Sequence, residues 1–428
     1  MRSKNQMMLA AGAVVIVGAL VALGISYRPG IQPIPRPAAT NFELQQVADG
    51  AKLAAIGDCT VCHTAEGGKA YAGGRALETP FGTLYATNIT PDEVTGIGSW
   101  SFEAFRRAMV QGVSRDGRHL YPALPYEHFT HVNETDLRAI YAFLMTREAV
   151  HSQAPANDLI PPLGFRPLLA GWKLLFLRQG PILADASKPA EWNRGAYLVE
   201  GLGHCGGCHT PRNLAGGEEA SHAYAGGIAE GWVAPPLNGQ NPSKKPWATQ
   251  SLYVYLRTGI EAQHSVAAGP MGPVAHDLAA VPEEDVRAIA TYIASKMIEN
   301  ASTAALSAPA DHREAAATQF PEAATLFAGA CAGCHDRGAP MMGQRRPALS
   351  SVTSIQLDAP DNVTQAILSG ITSPLDSKTA YMPAFGASLT DPQISGLVNY
   401  LRARFSDKPA WQGVETMVTG IRKSGESR

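Results

Sequence analysis

One five-residue pattern occurs three times in this sequence, and each copy has two cysteines three positions apart with a histidine directly after the second. C-x-x-C-H is the attachment signature of c-type haem. Cysteines at this spacing lie about one helical turn apart, so both sulfurs can form thioethers to the two vinyl groups of one porphyrin. The histidine then binds the iron as its proximal ligand. The cysteines are Cys59 and Cys62, Cys205 and Cys208, and Cys331 and Cys334, and the histidines are His63, His209 and His335.

Zinc knuckles and thioredoxin-like redox sites also use C-x-x-C pairs. A structural zinc ion needs four ligands from paired units at short spacing, but these three pairs are more than a hundred residues apart. A thioredoxin-like pair does not require a following histidine. All six cysteines of the chain belong to the three copies. The pattern therefore predicts three covalently attached haem c groups, and it leaves no cysteine for a disulfide.

The length of 428 residues suits about three domains of ordinary size. The formal net charge is -2 and the charged residues are mixed along the chain, so nothing in the sequence indicates a nucleic-acid partner. We predict an N-terminal membrane anchor or signal (1–28), a proline-rich tether (29–40), a first module (41–150), a linker with an apolar helix (151–190), a second module (191–300), an alanine-rich linker (301–317), a third module (318–406) and a C-terminal tail (407–428).

The N-terminus combines Arg2 and Lys4 with an uncharged apolar run over residues 7–27. About 20 apolar residues are enough to span a bilayer, and signal-peptide cores are usually shorter. No small-x-small cleavage site follows the run. We therefore expect an uncleaved transmembrane helix that places the rest of the chain on the periplasmic side of the cell inner membrane. A cleaved signal peptide is the alternative.

The three modules share one order of elements, which is the signature of a repeated unit. A short helical pattern leads into each pentapeptide, an amphipathic helix that ends at a glycine follows, and a helix opened by an acidic residue closes the module. The expected fold class is all-α, with an N-terminal transmembrane helix followed by three class I cytochrome c domains that hold one haem c each. The middle helices are predicted over residues 102–112, 252–259 and 363–370.

A sixth iron ligand is expected in the loop before the last helix of each module. The second and third modules carry Met271 and Met382 there, beside prolines, and Met/His ligation raises the potential of a haem. Met271 lies 62 residues after His209, whereas the position 61 residues after His63 is Leu124, which cannot bind iron. The first haem is therefore expected not to be methionine-ligated, so that its iron is either five-coordinate or takes a ligand from nearby. His128 is the first choice to replace it; His119, His131, Met109 and Met145 are the other nearby candidates.

The chain resembles the three-haem cytochrome c subunits of membrane-bound bacterial dehydrogenases over nearly its whole length. Besides the pentapeptides, the resemblance rests on the segments TPFGT (79–83), TNITPD (87–92), TGIG (95–98), HLYPA (119–123), WNRGAYLV (192–199) and CHTPRN (208–213). It implies an electron-transfer subunit that takes electrons from a separate catalytic subunit on the periplasmic face and passes them to membrane ubiquinone.

Two groups within this family imply different partners. Cytochromes of quinoprotein alcohol dehydrogenases and flavin-dependent sugar dehydrogenases typically keep a methionine in the first loop. Cytochromes that serve molybdenum hydroxylases, which act on aldehydes or N-heterocycles, often have an apolar residue there and then a sequence like YEHFT (126–130). Leu124 and His128 match the second group. The resemblance thus favours a molybdopterin-containing dehydrogenase of the aldehyde type with an iron–sulfur subunit, and a quinoprotein or flavoprotein partner is the alternative.

The sequence indicates no catalytic residues of its own. It contains no P-loop or G-x-S-x-G pattern. Two rival functions remain open at this point. One is a stand-alone haem peroxidase that uses an open iron in the first module, and the other is an electron carrier to a terminal oxidase.

Overall fold

The computed structural model describes residues 24, 26–298, 311–336, 338–341, 346–373 and 376–426. The chain forms two compact units, of which the first ends at Leu183 and the second begins at Ala184. The first unit contains the first module and the apolar linker helix. The second unit contains the second and third modules and the C-terminal tail.

The first unit begins with a 3-10 turn at Ala39–Asn41. Its α-helices are α1 (Leu44–Ile56), α2 (Cys59–Cys62), α3 (Phe102–Gln111), α4 (Tyr126–Phe129), α5 (Glu134–Met145) and α6 (Leu168–Phe176), and its strands are β1 (Ala76–Thr79), β2 (Gly82–Tyr85) and β3 (Asp158–Leu159). The strands form an antiparallel sheet in the order β1-β2-β3. Helices α1 and α5, the first and last of the module, pack against each other.

The second module of the chain repeats this plan in the second unit. Its helices are α7 (Ala190–Tyr197), which continues as a π-helical turn (Leu198–Leu202), α8 (Gly206–His209), α9 (Thr249–Thr258), α10 (Met271–Leu278) and α11 (Glu283–Ile298). A 3-10 turn lies at Ala220–His222, and two hairpins are formed by β4 (Gly227–Ala229) with β5 (Trp232–Ala234) and by β6 (Ile260–Glu261) with β7 (Ser265–Val266). Here α7 packs against α11.

The third module and the tail complete the second unit. Their helices are α12 (Arg313–Gln319), α13 (Pro321–Ala330), α14 (Ala332–His335), α15 (Thr353–Gln356), α16 (Asp361–Ser369), α17 (Asp391–Phe405) and α18 (Val414–Glu426), with a 3-10 turn at Leu349–Ser351 and the antiparallel strands β8 (Ile371–Ser373) and β9 (Asp376–Met382). The tail helix α18 packs on the module, because Trp411, Val414 and Val418 are buried in the same apolar cluster as α13 and α17.

The middle helix of each module ends at the glycine predicted for it. Helices α3, α9 and α16 are followed by Gly112, Gly259 and Gly370, whose φ angles are 61°, 70° and 72°. A positive φ costs glycine little because it has no Cβ. The helical part of the repeated pattern is therefore confirmed.

The expected all-α class is wrong, because each module also contains short antiparallel strands. The hairpin of β4 and β5 turns through Glu230 and Gly231, which have φ angles of 49° and 77°. Two consecutive residues at positive φ are the geometry of the tight turn that suits a hairpin. Helical periodicity in the flanking segments gave no sign of these pairs.

The predicted transmembrane helix, and the inner-membrane location derived from it, are not supported. Among the described residues no helix is long and apolar enough to cross a membrane. The longest helix among the described residues, Glu283–Ile298, has 16 residues. This corresponds to a length of about 24 Å, whereas the hydrocarbon core of a bilayer is about 30 Å thick. Residues 1–23 and 25 of the predicted anchor lie outside the described residues.

Candidate haem-attachment sites

Each pentapeptide forms one helical turn. In all three copies the backbone N–H of the histidine donates to the carbonyl of the first cysteine at 3.0 Å. This bond closes the turn. It places the two cysteines, three residues apart, on the same face of the helix. The three turns are built by His63 on Cys59, His209 on Cys205 and His335 on Cys331. The geometry expected from the spacing is thus present at all three positions.

In the first two histidines, Nδ1 is hydrogen-bonded to the protein. Nε2 is the nitrogen that would bind iron. His63 Nδ1 lies 2.6 Å from the carbonyl oxygen of Thr87, and His209 Nδ1 lies 2.7 Å from that of Pro235. A carbonyl oxygen only accepts, so Nδ1 carries the proton and Nε2 keeps the lone pair that binds a metal. Desolvation by burial lowers the pKa of both rings, which also favours the neutral form. The residues therefore fit a proximal ligand to haem iron.

The third histidine has no such carbonyl partner in the described part of the chain, and it is the next residue in the sequence that forms ion pairs. His335 Nδ1 is buried and has no hydrogen-bond partner among the residues that the structure describes. Asp336, the next residue, accepts a hydrogen bond from the buried Arg404 at 2.8 Å and another from Arg313. Burial would raise the pKa of Asp336, but these hydrogen bonds outweigh it and hold the pKa below its usual value. Asp336 directly follows α14 and Arg404 lies in α17, so this ion pair connects the two helices. Asp311 forms a second ion pair with Arg404.

The cysteines sit in surroundings that disfavour thiolates. Burial raises the pKa of Cys205 to about 12 and that of Cys331 to about 11. A thioether sulfur is neutral and suits an apolar environment. The surroundings of these two cysteines therefore fit covalent attachment of a porphyrin.

The loops that carry the predicted methionine ligands are anchored to the middle helices. Met271 begins α10 directly after Pro270, and Ala267 N in its loop donates to Gly259 O at 2.7 Å. Met382 is the last residue of β9 and packs on the apolar cluster of the third module. Its carbonyl oxygen lies close to Gly370, since a Cβ on that glycine would be 2.6 Å from it. In the first module the same helix-end bond runs from Leu120 N to Gly112 O, again at 2.7 Å. The three loops thus occupy corresponding positions.

Family models match parts of the first and third modules. The family model "Cytochrome c" matches residues 47–148, and the model "Cytochrome C oxidase, cbb3-type, subunit III" matches residues 318–401. The cytochrome subunit of fructose dehydrogenase from Gluconobacter japonicus is 34% identical over 419 residues, which cover 92% of this chain and 85% of that protein. The cytochrome c subunit of alcohol dehydrogenase (quinone) from Komagataeibacter europaeus is 32% identical, covering 89% and 84%. The chain belongs to the family of dehydrogenase cytochrome c subunits.

A further relative is larger. A subunit of nicotinate dehydrogenase from Pseudomonas putida is 47% identical over 406 residues, which are 94% of this chain but only 34% of that protein. The chain therefore spans about a third of this relative and most of the other two. Membership of the family establishes that the chain has cytochrome c domains with covalently bound haem c and acts in electron transfer within a dehydrogenase complex.

The first module of this dehydrogenase cytochrome differs from the others around Leu124. His119 uses both ring nitrogens on protein partners, with Nε2 2.8 Å from Ser26 O and Nδ1 3.0 Å from Lys173 Nζ. His131 Nδ1 lies 2.6 Å from Gly180 O. Met109 and Met145 are buried on α3 and α5. His128 is buried on α4, four residues after Leu124. The contacts of His119 argue against it as a ligand, and His128 stays the preferred prediction.

The linker helix α6 covers this loop. Trp172 meets the ring of Tyr126 edge-on at 6.0 Å, and Lys173 Nζ donates to Gly112 O at 2.5 Å. Burial, and then the positive charge of Arg28, lower the pKa of Lys173 to about 7. Sequence reasoning recognised the helix but not this lysine, because only the fold shows that it points inward. The arrangement places a titratable amine beside the loop of the first haem site.

Proposed function

We propose that the chain carries three haem c groups, one on each pentapeptide, and relays electrons from a molybdopterin-containing catalytic subunit, with an iron–sulfur subunit, to ubiquinone. The observation that carries the count is the repeated turn in which each histidine N–H donates to the first cysteine carbonyl at 3.0 Å. We retain the predicted modules 41–150, 191–300 and 318–406 as the three haem domains.

The protein residues have distinct roles in this proposal. The cysteines would hold each porphyrin covalently, and His63, His209 and His335 would bind its iron, the first two through Nε2. Met271 and Met382 would be the further iron ligands of the second and third haems and would raise their potentials. When bound, each haem supplies an iron that takes up and releases one electron. The protein therefore contributes attachment, ligation and burial, and no bond of the organic substrate changes on this chain.

The choice of catalytic partner rests on two observations. Leu124 and the YEHFT segment (126–130) resemble the cytochromes of molybdenum hydroxylases. The relative at 47% identity is named for nicotinate, an N-heterocycle of the class on which those hydroxylases act. The quinone acceptor is supported by the relatives named alcohol dehydrogenase (quinone). A quinoprotein or flavoprotein partner is the competing candidate, because the fructose and alcohol dehydrogenase cytochromes also align over most of the chain.

Two measurements test the proposal. The intact mass of the purified chain should exceed the sequence mass by three haems, and replacing the cysteine pair of any one pentapeptide by alanine should remove one haem. A count of two would refute the assignment of three.

The partner is tested by isolating the tagged chain with its complex from the native host and identifying the accompanying subunits by mass spectrometry. A molybdopterin subunit that reduces added ubiquinone through this chain is the expected result. A quinoprotein or flavoprotein would establish the competing candidate. Peroxide turnover by the isolated chain, with no partner, would establish a haem peroxidase instead.

A further inference from the structure

An asparagine of the third module is paired with a strand of the second. Asn362, at the start of α16, accepts a hydrogen bond from Val233 N at 2.8 Å and donates one to Val233 O at 2.8 Å. Val233 lies in β5, so the side-chain amide occupies the open edge of a two-stranded sheet as the peptide group of a third strand would. The hairpin of the second module is thus held from the third module.

The first module covers the corresponding edge with its own chain. There β3 pairs with β2, with Gly82 opposite Leu159 and Thr83 opposite Asp158. Asn157 also accepts a hydrogen bond from Tyr85 N at 3.0 Å. The second module has no such strand on β5 among the described residues, and Asn362 takes its place. The position of the β4–β5 hairpin therefore depends on how α16 is docked.

The residue before Val233 contacts the loop that carries Met271. A Cβ on Gly269 would lie 2.4 Å from the indole of Trp232, so this ring lies directly against the backbone of Gly269. Gly269 has a φ of 53° and is followed by Pro270 and Met271. Gly231 precedes Trp232 in the chain, and a Cβ on Gly231 would lie 3.3 Å from Gln365 Nε2 of α16. Three consecutive residues of the hairpin thus connect α16 to the methionine loop.

We propose that Asn362 and Trp232 are positioning residues for Met271, the proposed iron ligand. Asn362 fixes β5, β5 fixes the indole of Trp232, and the indole fixes the loop from Gly269 to Met271. The inference rests on the proposed role of Met271 as the sixth ligand of the second haem. Since methionine ligation raises the potential of a haem, docking of the third module would set the potential of the second.

The test compares single variants of the whole holoprotein, each checked for its full haem content. The readouts are the long-wavelength charge-transfer band of methionine-ligated ferric haem and a spectroelectrochemical titration. Met271→Leu should remove about half of the band, because two of the haems are expected to have methionine ligands. Asn362→Ala and Trp232→Ala should reduce the band in the same direction and lower the potential of one haem. Trp232→Phe keeps a planar ring against Gly269 and should restore most of the band.

Asn193→Ala is the matched control. Asn193 also binds both backbone groups of one residue, Asp185, at 2.7 Å and 2.9 Å, in the same unit but on α7. It should leave the band and all potentials as in the wild type. If Met271→Leu reduces the band but the Asn362 and Trp232 variants do not, the positioning role is refuted while the ligand assignment stands. If Met271→Leu leaves the band unchanged, the ligand assignment is wrong and the inference falls with it.

Discussion

Gly50 in α1 lies against the backbone carbonyl of Ala139 in α5. A Cβ on Gly50 would be only 2.0 Å from that oxygen, which is far inside the contact distance of any real side chain. The second module repeats the relationship, because a Cβ on Gly195 in α7 would be 2.0 Å from the carbonyl of Ala288 in α11. The first and last helices of these two modules therefore cross at a glycine, and this contact holds the pentapeptide that follows the first helix in place.

Gly50→Ala should destabilise the first unit. The added methyl forces α1 away from α5, and overpacking of this kind costs about 1–3 kcal/mol. The free energy of unfolding from denaturant titration measures the effect. Gly171→Ala is the control: Gly171 is also helical, has nothing within 4 Å of its Cβ position, and should gain about 0.5–1 kcal/mol from the better helix former. Equal effects of the two substitutions would refute the close crossing.

Lys173→Met should change the pH dependence of stability in the first unit. The pKa of Lys173 falls from 10.5 to about 7 on folding, because of burial and of the charge on Arg28. Between these two values the unfolded chain binds the proton and the folded chain does not, so this lysine makes stability rise with pH. The wild type should therefore gain stability relative to Lys173→Met as the pH rises from about 7 towards 10.5.

Thermal unfolding of wild type and variant across this range measures that difference. Lys69→Met, which removes a lysine that is 64% exposed in the same unit, shows the effect of losing a surface amine. A difference between the wild type and Lys173→Met that stays constant with pH would contradict the inward position of Lys173.

Some of these features could be predicted from the sequence and others could not. The pentapeptide turns and the glycines that end α3, α9 and α16 follow from local rules, since the bonds involved span four residues or fewer. The carbonyls that orient His63 and His209 lie 24 and 26 residues away along the chain. The pairing of Asn362 with Val233 spans 129 residues, and no local pattern marks an asparagine that replaces a strand. Gly50 and Gly195 read as weak helix residues until their partners across the helix crossing are known.

Asp407→Asn should weaken the connection between the second module and the C-terminal tail at neutral pH. Asp407 accepts hydrogen bonds from Lys244 at 2.8 Å and from His312 at 2.9 Å, and these, with Lys244 the stronger, hold its pKa below the usual 3.8. A lowered carboxyl pKa stabilises the fold above the unfolded-state value, and the contribution is lost as the pH falls through the folded-state value.

The stability difference between wild type and Asp407→Asn should therefore be present at neutral pH and shrink below about pH 3.8, which thermal unfolding can follow. Asp358→Asn is the control: the hydrogen bond from Lys408 of the tail also lowers the pKa of Asp358, but the Asp358 side chain is 93% exposed. Exposed pairs contribute little, so this variant should resemble the wild type. A pH-independent effect of Asp407→Asn would show that its role is not electrostatic.

Leu124→Met should give the first haem the ligand that its loop lacks. Leu124 N donates to Tyr121 O at 3.1 Å and Tyr126 N donates to Leu124 O at 2.7 Å, so the position lies in an ordered turn directly before α4. A thioether there should add to the charge-transfer band of methionine-ligated haem and raise the potential of one haem. Leu120→Met puts the same sulfur four residues earlier in this loop and should change neither the band nor the potential.

His128→Ala should alter the spectrum of the first haem alone if His128 is its ligand in the wild type. Three equivalent methionine-ligated haems in the unmodified protein would contradict the whole assignment, because Leu124 would then lie away from the iron and another sulfur would have to reach it.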